Sequence, residues 1–242
     1  MSATDATAPE GEEHHDEHEG GDHGHHGPKW LAHHFDTPAQ QFDTAKLGMW
    51  AFLGQELLFF SGVFVAYGIY RSWYPEMFSQ AAHLLNRPMG ALNTLVLLFS
   101  SLTAALAVRS SQTGQRKQTS IFLVITIMCA CTFLVVKYFE YSHKIHAGLL
   151  PYEWYDPQKI LHHEGKVLPE NSHIFFGIYF AMTGLHGLHV IVGIGILVWI
   201  LLRNIRGDFS KEFFTPVDIS ALYWHLVDLI WIYLFPLLYL ID

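Results

Sequence analysis

Five apolar runs, each about twenty residues or longer, fill most of this sequence from residue 47 onward. At 1.5 Å of rise per residue, each is long enough to cross a hydrocarbon core of about 30 Å. Inside that core no water is at hand for stray backbone N–H and C=O groups, so only helices or a closed barrel can span it. Continuous apolar runs of this length are helical. The chain is therefore expected to be an all-α integral membrane protein with five transmembrane helices near 47–70, 89–109, 119–142, 172–202 and 216–241. A composition that is 51% apolar and only 15% charged agrees. The fourth segment is the longest and is expected to tilt or protrude. The second is the least apolar, with Asn93, Thr94, Ser100, Ser101 and Thr103, and is expected to be enclosed by other helices. No repeat and no second domain emerges, so 30–242 reads as one membrane domain.

The formal net charge of −8 is concentrated at one end. Residues 1–29 hold eight acidic side chains (Asp5, Glu10, Glu12, Glu13, Asp16, Glu17, Glu19, Asp22) against the single Lys29, together with six histidines. This stretch has no apolar core of a signal peptide and too little apolar surface to fold, so it reads as a disordered acidic, His-rich tail. The remainder is nearly neutral, and nothing in it suggests a nucleic-acid partner. Trp30 to Ala45 reads as an interfacial lead-in. On the side of the N-terminus lie Lys29, Lys46, Arg109, Arg116, Lys117, Arg203, Arg206 and Lys211. The opposite side has Arg71, Arg87, Lys144, Lys159 and Lys166. That bias places the N-terminus in the cytoplasm and the C-terminus, with the loop 143–171, outside.

Against this apolar background the ionisable residues inside the segments stand out. Glu56 lies about nine residues into the first segment, and His225 and Asp228 about nine and twelve residues into the fifth. Glu56 and His225 thus share a depth of roughly 13 Å, and His189, descending in the fourth segment, reaches nearly the same level. His186 lies one turn from His189, and Asp228 one turn from His225. A charge at bilayer depth costs roughly 2.5–3.5 kcal/mol on insertion scales. This layer is therefore either a proton-handling or ion-binding site, or a set of interhelical hydrogen bonds, and spacing leaves both open. His186 and His189 at i, i+3 raise the question of a metal, but ligand geometry rather than histidine count decides it, and no metal bound by this chain is expected. Glu140, near the outer end of the third segment and within reach of Lys137 and Lys144, reads as structural. Cys129 and Cys131 point to different sides of a helix and read as buried, inert thiols. Gly184, Gly187, Gly193 and Gly195, with Gly62 and Ala66, read as close-packing positions.

Several of these residues sit in longer patterns. Gly184-Leu185-His186-Gly187-Leu188-His189-Val190 and Tyr223-Trp224-His225-Leu226-Val227-Asp228-Leu229-Ile230-Trp231 occur in order on the last two segments. Glu56 precedes Leu57-Leu58-Phe59-Phe60-Ser61-Gly62, and Glu140 is flanked as Tyr138-Phe139-Glu140-Tyr141. In these motifs residues 31–242 resemble subunit III of the haem–copper terminal oxidases, of the cytochrome c oxidase type. The resemblance implies the five-helix form of a fold that otherwise has seven. It implies a cofactor-free accessory subunit of a proton-pumping complex in the bacterial plasma (inner) membrane, with haem and copper held by partner subunits. Subunit I, with subunit II, would be its partner, and stability and proton uptake of the complex its contribution. By position, Glu56 would be the family's carbodiimide-reactive carboxylate, and His186, His225, Asp228 and Glu140 internal polar contacts. Phospholipid is a further implied ligand, although the two helices that wall the family's lipid cleft are absent here. The electron donor, cytochrome c or quinol, binds elsewhere, so the equivalent subunit of a quinol oxidase or nitric oxide reductase complex is the alternative. An independent proton-coupled transporter using Glu56 and His225 would need broken helices or inverted repeats that the sequence lacks.

Overall fold

A computed structural model describes residues 31–32, 35–150, 155–165, 167–169 and 171–241. The 1–29 tail lies outside them. The described chain forms seven helices: α1 (Pro38–Trp73), α2 (Pro75–Ala82), α3 (Arg87–Gln112), α4 (Arg116–His146), α5 (Pro157–Glu164), α6 (Ser172–Arg206) and α7 (Thr215–Tyr239). Five of them, α1, α3, α4, α6 and α7, are long and apolar enough to cross a membrane. The short α2 and α5 lie in the connections.

Local signals set the ends. Thr37 caps α1 by accepting the Gln40 N–H, with Pro38 in the first turn. Asn86 caps α3 through Met89 N–H, and Asp156 caps α5 through the N–H groups of Gln158 and Lys159. Gly165 and Gly207 end α5 and α6 in the left-handed conformation that glycine adopts without strain. Helix ends extend past the apolar runs because the polar turns beyond the hydrocarbon stay helical. α1 therefore begins at Pro38, inside the stretch read as an interfacial lead-in, and at 36 residues it, rather than α6 with 35, is the longest helix.

α3, α4, α6 and α7 form a closed four-helix ring, each packed on two neighbours, with α3 on α4 the most extensive interface. α1 stands outside, against the seam of α6 and α7. Enclosure follows from this layout. Half of the α7 span is buried, against a third of α3 and 17% of α1. The expectation for the second segment thus holds for one face only. Its polar residues Asn93, Ser100 and Thr103 turn inward, while Leu92, Leu95 and Leu102 face out.

The inner faces lock through indole and hydroxyl groups. Trp224 Nε1–H donates to Ser100 Oγ (2.9 Å) and Trp231 Nε1–H to Thr94 Oγ1 (3.1 Å), pinning α7 to α3 at two levels. Asn204 Nδ2–H ties α6 to α4 through Arg116 O (2.9 Å) and Ser120 Oγ (2.8 Å). Of the glycines read as close-packing positions, Gly193 has that role. A Cβ there would lie 2.8 Å from the Trp224 ring, whereas at Gly62, Gly187 and Gly195 it would meet nothing within 4 Å and at Gly184 only the Tyr141 hydroxyl at 3.9 Å. The cysteines also differ from expectation. Cys131 is exposed and Cys129 half-buried, because the i, i+2 spacing turns one of them out of the ring.

Gly193→Ala is expected to cost about 1–3 kcal/mol by overpacking against Trp224. Gly187→Ala should stay within about 0.5 kcal/mol of the parent. Unfolding midpoints in a denaturing-detergent titration check the pair, and equal losses would contradict the close approach.

Candidate functional site

α1 meets the ring at three levels. Near its start, Lys46 Nζ lies 3.3 Å from Asp218 Oδ2 on α7. Near its end, the Tyr67 hydroxyl donates to the Leu237 carbonyl, also on α7. Between them, at bilayer depth, Glu56 Oε2 lies 3.0 Å from His189 Nε2 on α6. Phe60, one turn along from Glu56, packs its ring 5.0 Å from the imidazole. The Tyr223 hydroxyl donates to His189 O (3.1 Å), adding a link between α7 and α6 at the same level.

The hydrogen-bond pattern counts protons in this pair. His189 Nδ1 lies 2.8 Å from Leu185 O, a carbonyl that can only accept, so Nδ1 carries a proton. The contact between Nε2 and Glu56 then needs one further proton between two acceptors. Whether it resides on the carboxyl or on the ring, the pair as a unit has zero net charge. That is the form tolerated in hydrocarbon. Both ring nitrogens of His189 are thereby engaged, so His186 and His189 do not converge on one ion. No cluster of three or more metal-ligating side chains occurs among the described residues.

The pair forms the floor of an apolar groove of about 640 Å³ between α1, α6 and α7. Met49, Phe52, Val192, Ile196, Trp199 and Ile219 line its walls, toward the end of the bundle where α1 begins.

The remaining intramembrane residues do not join this pair. His225 shares its depth but faces α3, where its Nδ1 lies 2.7 Å from Ser101 Oγ. Asp228 is buried beside it. The Ser101 hydroxyl interacts with its carboxyl group, but short of full hydrogen-bond geometry, and both carboxyl oxygens lack a true partner among the described residues. His186 is fully buried between the rings of Phe133 (5.4 Å) and Trp231 (5.2 Å), with neither nitrogen hydrogen-bonded to a described residue. Equal depth thus brought together Glu56 and His189, and left His225 with Asp228 on another face. Depth follows from residue count, whereas facing depends on which helices are neighbours.

A second polar centre lies nearer the other end of the bundle. Glu140 turns inward, 3% exposed, and meets both lysines that its spacing put within reach. Its carboxylate lies 2.9 Å from Lys137 Nζ and 3.4 Å from Lys144 Nζ, and accepts from Tyr239 OH (2.6 Å) and Tyr179 OH (3.0 Å). Lys137 Nζ also sits 4.6 Å from the Trp231 ring centroid. Tyr179, Tyr239 and Ser101 did not stand out in the sequence. The one available signal was spacing, since Tyr179 lies on the α6 face that carries His186 and Thr94 and Ser101 are seven apart on one face of α3.

Glu140→Leu is expected to cost about 3–5 kcal/mol, because it strands two buried ammonium groups together. Folded yield in detergent measures the loss, and a yield equal to the parent's would show that the lysines are hydrated.

A family model described as cytochrome c oxidase subunit III matches residues 168–242, the α6–α7 portion. Cytochrome c oxidase subunit 3 of Corynebacterium diphtheriae is 30% identical over 207 residues, covering 83% of this chain and 89% of the relative. The turtle Pelomedusa subrufa has a cytochrome c oxidase subunit 3 that is 32% identical over 219 residues, covering 86% and 72% respectively. Quinol oxidase subunit 3 of Bacillus subtilis is 28% identical over 201 residues, covering 81% and 86%.

Proposed function

Because the chain belongs to the cytochrome c oxidase subunit III family, we propose that it is the accessory, cofactor-free subunit of a proton-pumping cytochrome c oxidase, packed on the catalytic subunit I. Family membership makes it a multi-pass membrane component of a haem–copper oxidase that associates with other oxidase subunits. The finer role rests on one observation: three of its bilayer-depth ionisable groups, Glu56, Glu140 and His225, are engaged in contacts between or along helices, while His186 and Asp228 lie buried without a hydrogen-bond partner among the described residues. Glu56 holds His189, Glu140 holds two lysines and two tyrosines, and His225 holds Ser101. Groups committed in this way fasten a scaffold, and the oxygen chemistry belongs to the partner subunits with their haem and copper.

In this reading the chain sits in the bacterial plasma membrane with its N-terminus in the cytoplasm, following the lysine and arginine bias of its loops. The Glu56–His189 pair, holding one shared proton under an apolar groove, is the group through which the subunit supports proton uptake. The groove has the volume and apolar lining to seat an acyl chain of a phospholipid, with α1 as one wall. The match to a quinol oxidase subunit 3 supports the second reading, in which the complex takes electrons from quinol. The donor binds other subunits, so this chain's residues do not discriminate.

An affinity-tagged chain purified in mild detergent is expected to bring down a haem-bearing subunit with a reduced-minus-oxidised haem spectrum. That complex should oxidise reduced cytochrome c. Turnover with quinol alone would select the second reading, and recovery of the chain by itself would refute both. A hydrophobic carbodiimide is expected to modify Glu56 in the same preparation, and labelling confined to other carboxyl groups would remove its assigned role.

A further inference from the structure

His225 sits about 15 Å from the start of α7, near the middle of a hydrocarbon core. Its Nδ1 faces inward to Ser101 Oγ at 2.7 Å, and the ring is only half-buried. The other ring nitrogen, Nε2, has no hydrogen-bond partner among the described residues and is not sealed inside the bundle. An imidazole N or N–H turned to acyl chains at that depth is strongly disfavoured, since lipid tails neither donate nor accept. The exposed residues that flank it on the two helices are apolar. Leu98 and Ala105 flank Ser101 on α3, and Leu229 and Ile232 continue the face of His225 along α7. Ala105 is small enough for a neighbouring backbone to approach closely.

We propose that this α3–α7 face is the docking surface for a transmembrane helix of another oxidase subunit, and that His225 is its polar anchor. The occupant presents a hydroxyl or side-chain amide opposite Nε2. Such a group donates and accepts, so it fits either tautomer that the Ser101 contact permits. Ser101 is the positioning residue that orients the ring. Bulk lipid cannot meet the nitrogen. The partner is a subunit of the same complex because the chain belongs to a family of subunits, so the inference rests on that reading.

The test uses the complex in native membranes, with a photo-crosslinking amino acid in place of Leu229. Illumination is expected to join the chain to another subunit of the oxidase, identified by peptide mass. His225→Phe should then reduce the haem-bearing subunit retained on the tagged chain about tenfold, whereas His225→Gln, which keeps a hydrogen-bonding group, should stay within about threefold of the parent. If the parent chain retains haem but Leu229 crosslinks only lipid, or only a second copy of the chain, the docking face is wrong and the family reading stands. If the parent retains no haem-bearing subunit, both fall. Equal retention by the two His225 variants would remove the anchor.

Discussion

In hydrocarbon a polar side chain finds its partner inside the protein or on a neighbouring subunit, because no water will take its place. That constraint organises this chain more than any apolar contact does, since lipid tails are as apolar as leucine and give helices little reason to associate. The four-helix ring is held by indole, hydroxyl and amide bonds at successive depths, and by a glutamate between two lysines at one end. α1 depends on this kind of contact most. It is the least enclosed span, and three polar contacts at three depths tie it down.

Pairing of this kind also explains why the buried charges are tolerated. Glu140 gathers two ammonium groups and two phenols, so each partner replaces part of the hydration that the others lost. Glu56 and His189 manage with one shared proton and no net charge. The groove above them is lined mainly by apolar side chains down to the pair.

The five spans were legible because bilayer thickness filters sequence so strictly that only runs of about twenty apolar residues qualify. Their ends were not, since the turns from Pro38 to Lys46 and around His143 to His146 lie beyond the hydrocarbon and are helical without being apolar. Depth was legible for Glu56, His189 and His225, because rise per residue is fixed. Azimuth was not. His225 and His189 share a layer but face different neighbours, and the order of helices around the ring is set by long-range packing that periodicity does not encode. Ser101 passed as one more polar residue of the second segment, whereas the reach of Glu140 to Lys137 and Lys144 was legible from their one-turn spacing. The family motifs on α6 and α7 carry His186, His189, His225 and Asp228 without saying which touches which.

The central claim is that interhelical polar pairs, and the Glu56–His189 pair above all, fasten α1 to the rest. A double-mutant cycle with Glu56→Leu and His189→Leu, read as unfolding free energy in a denaturing-detergent titration, tests it most directly. The account predicts a double variant that loses less than the two single variants together, with a coupling of about 0.6–1.7 kcal/mol. Additive losses would contradict it, and α1 would then owe its place to apolar packing alone.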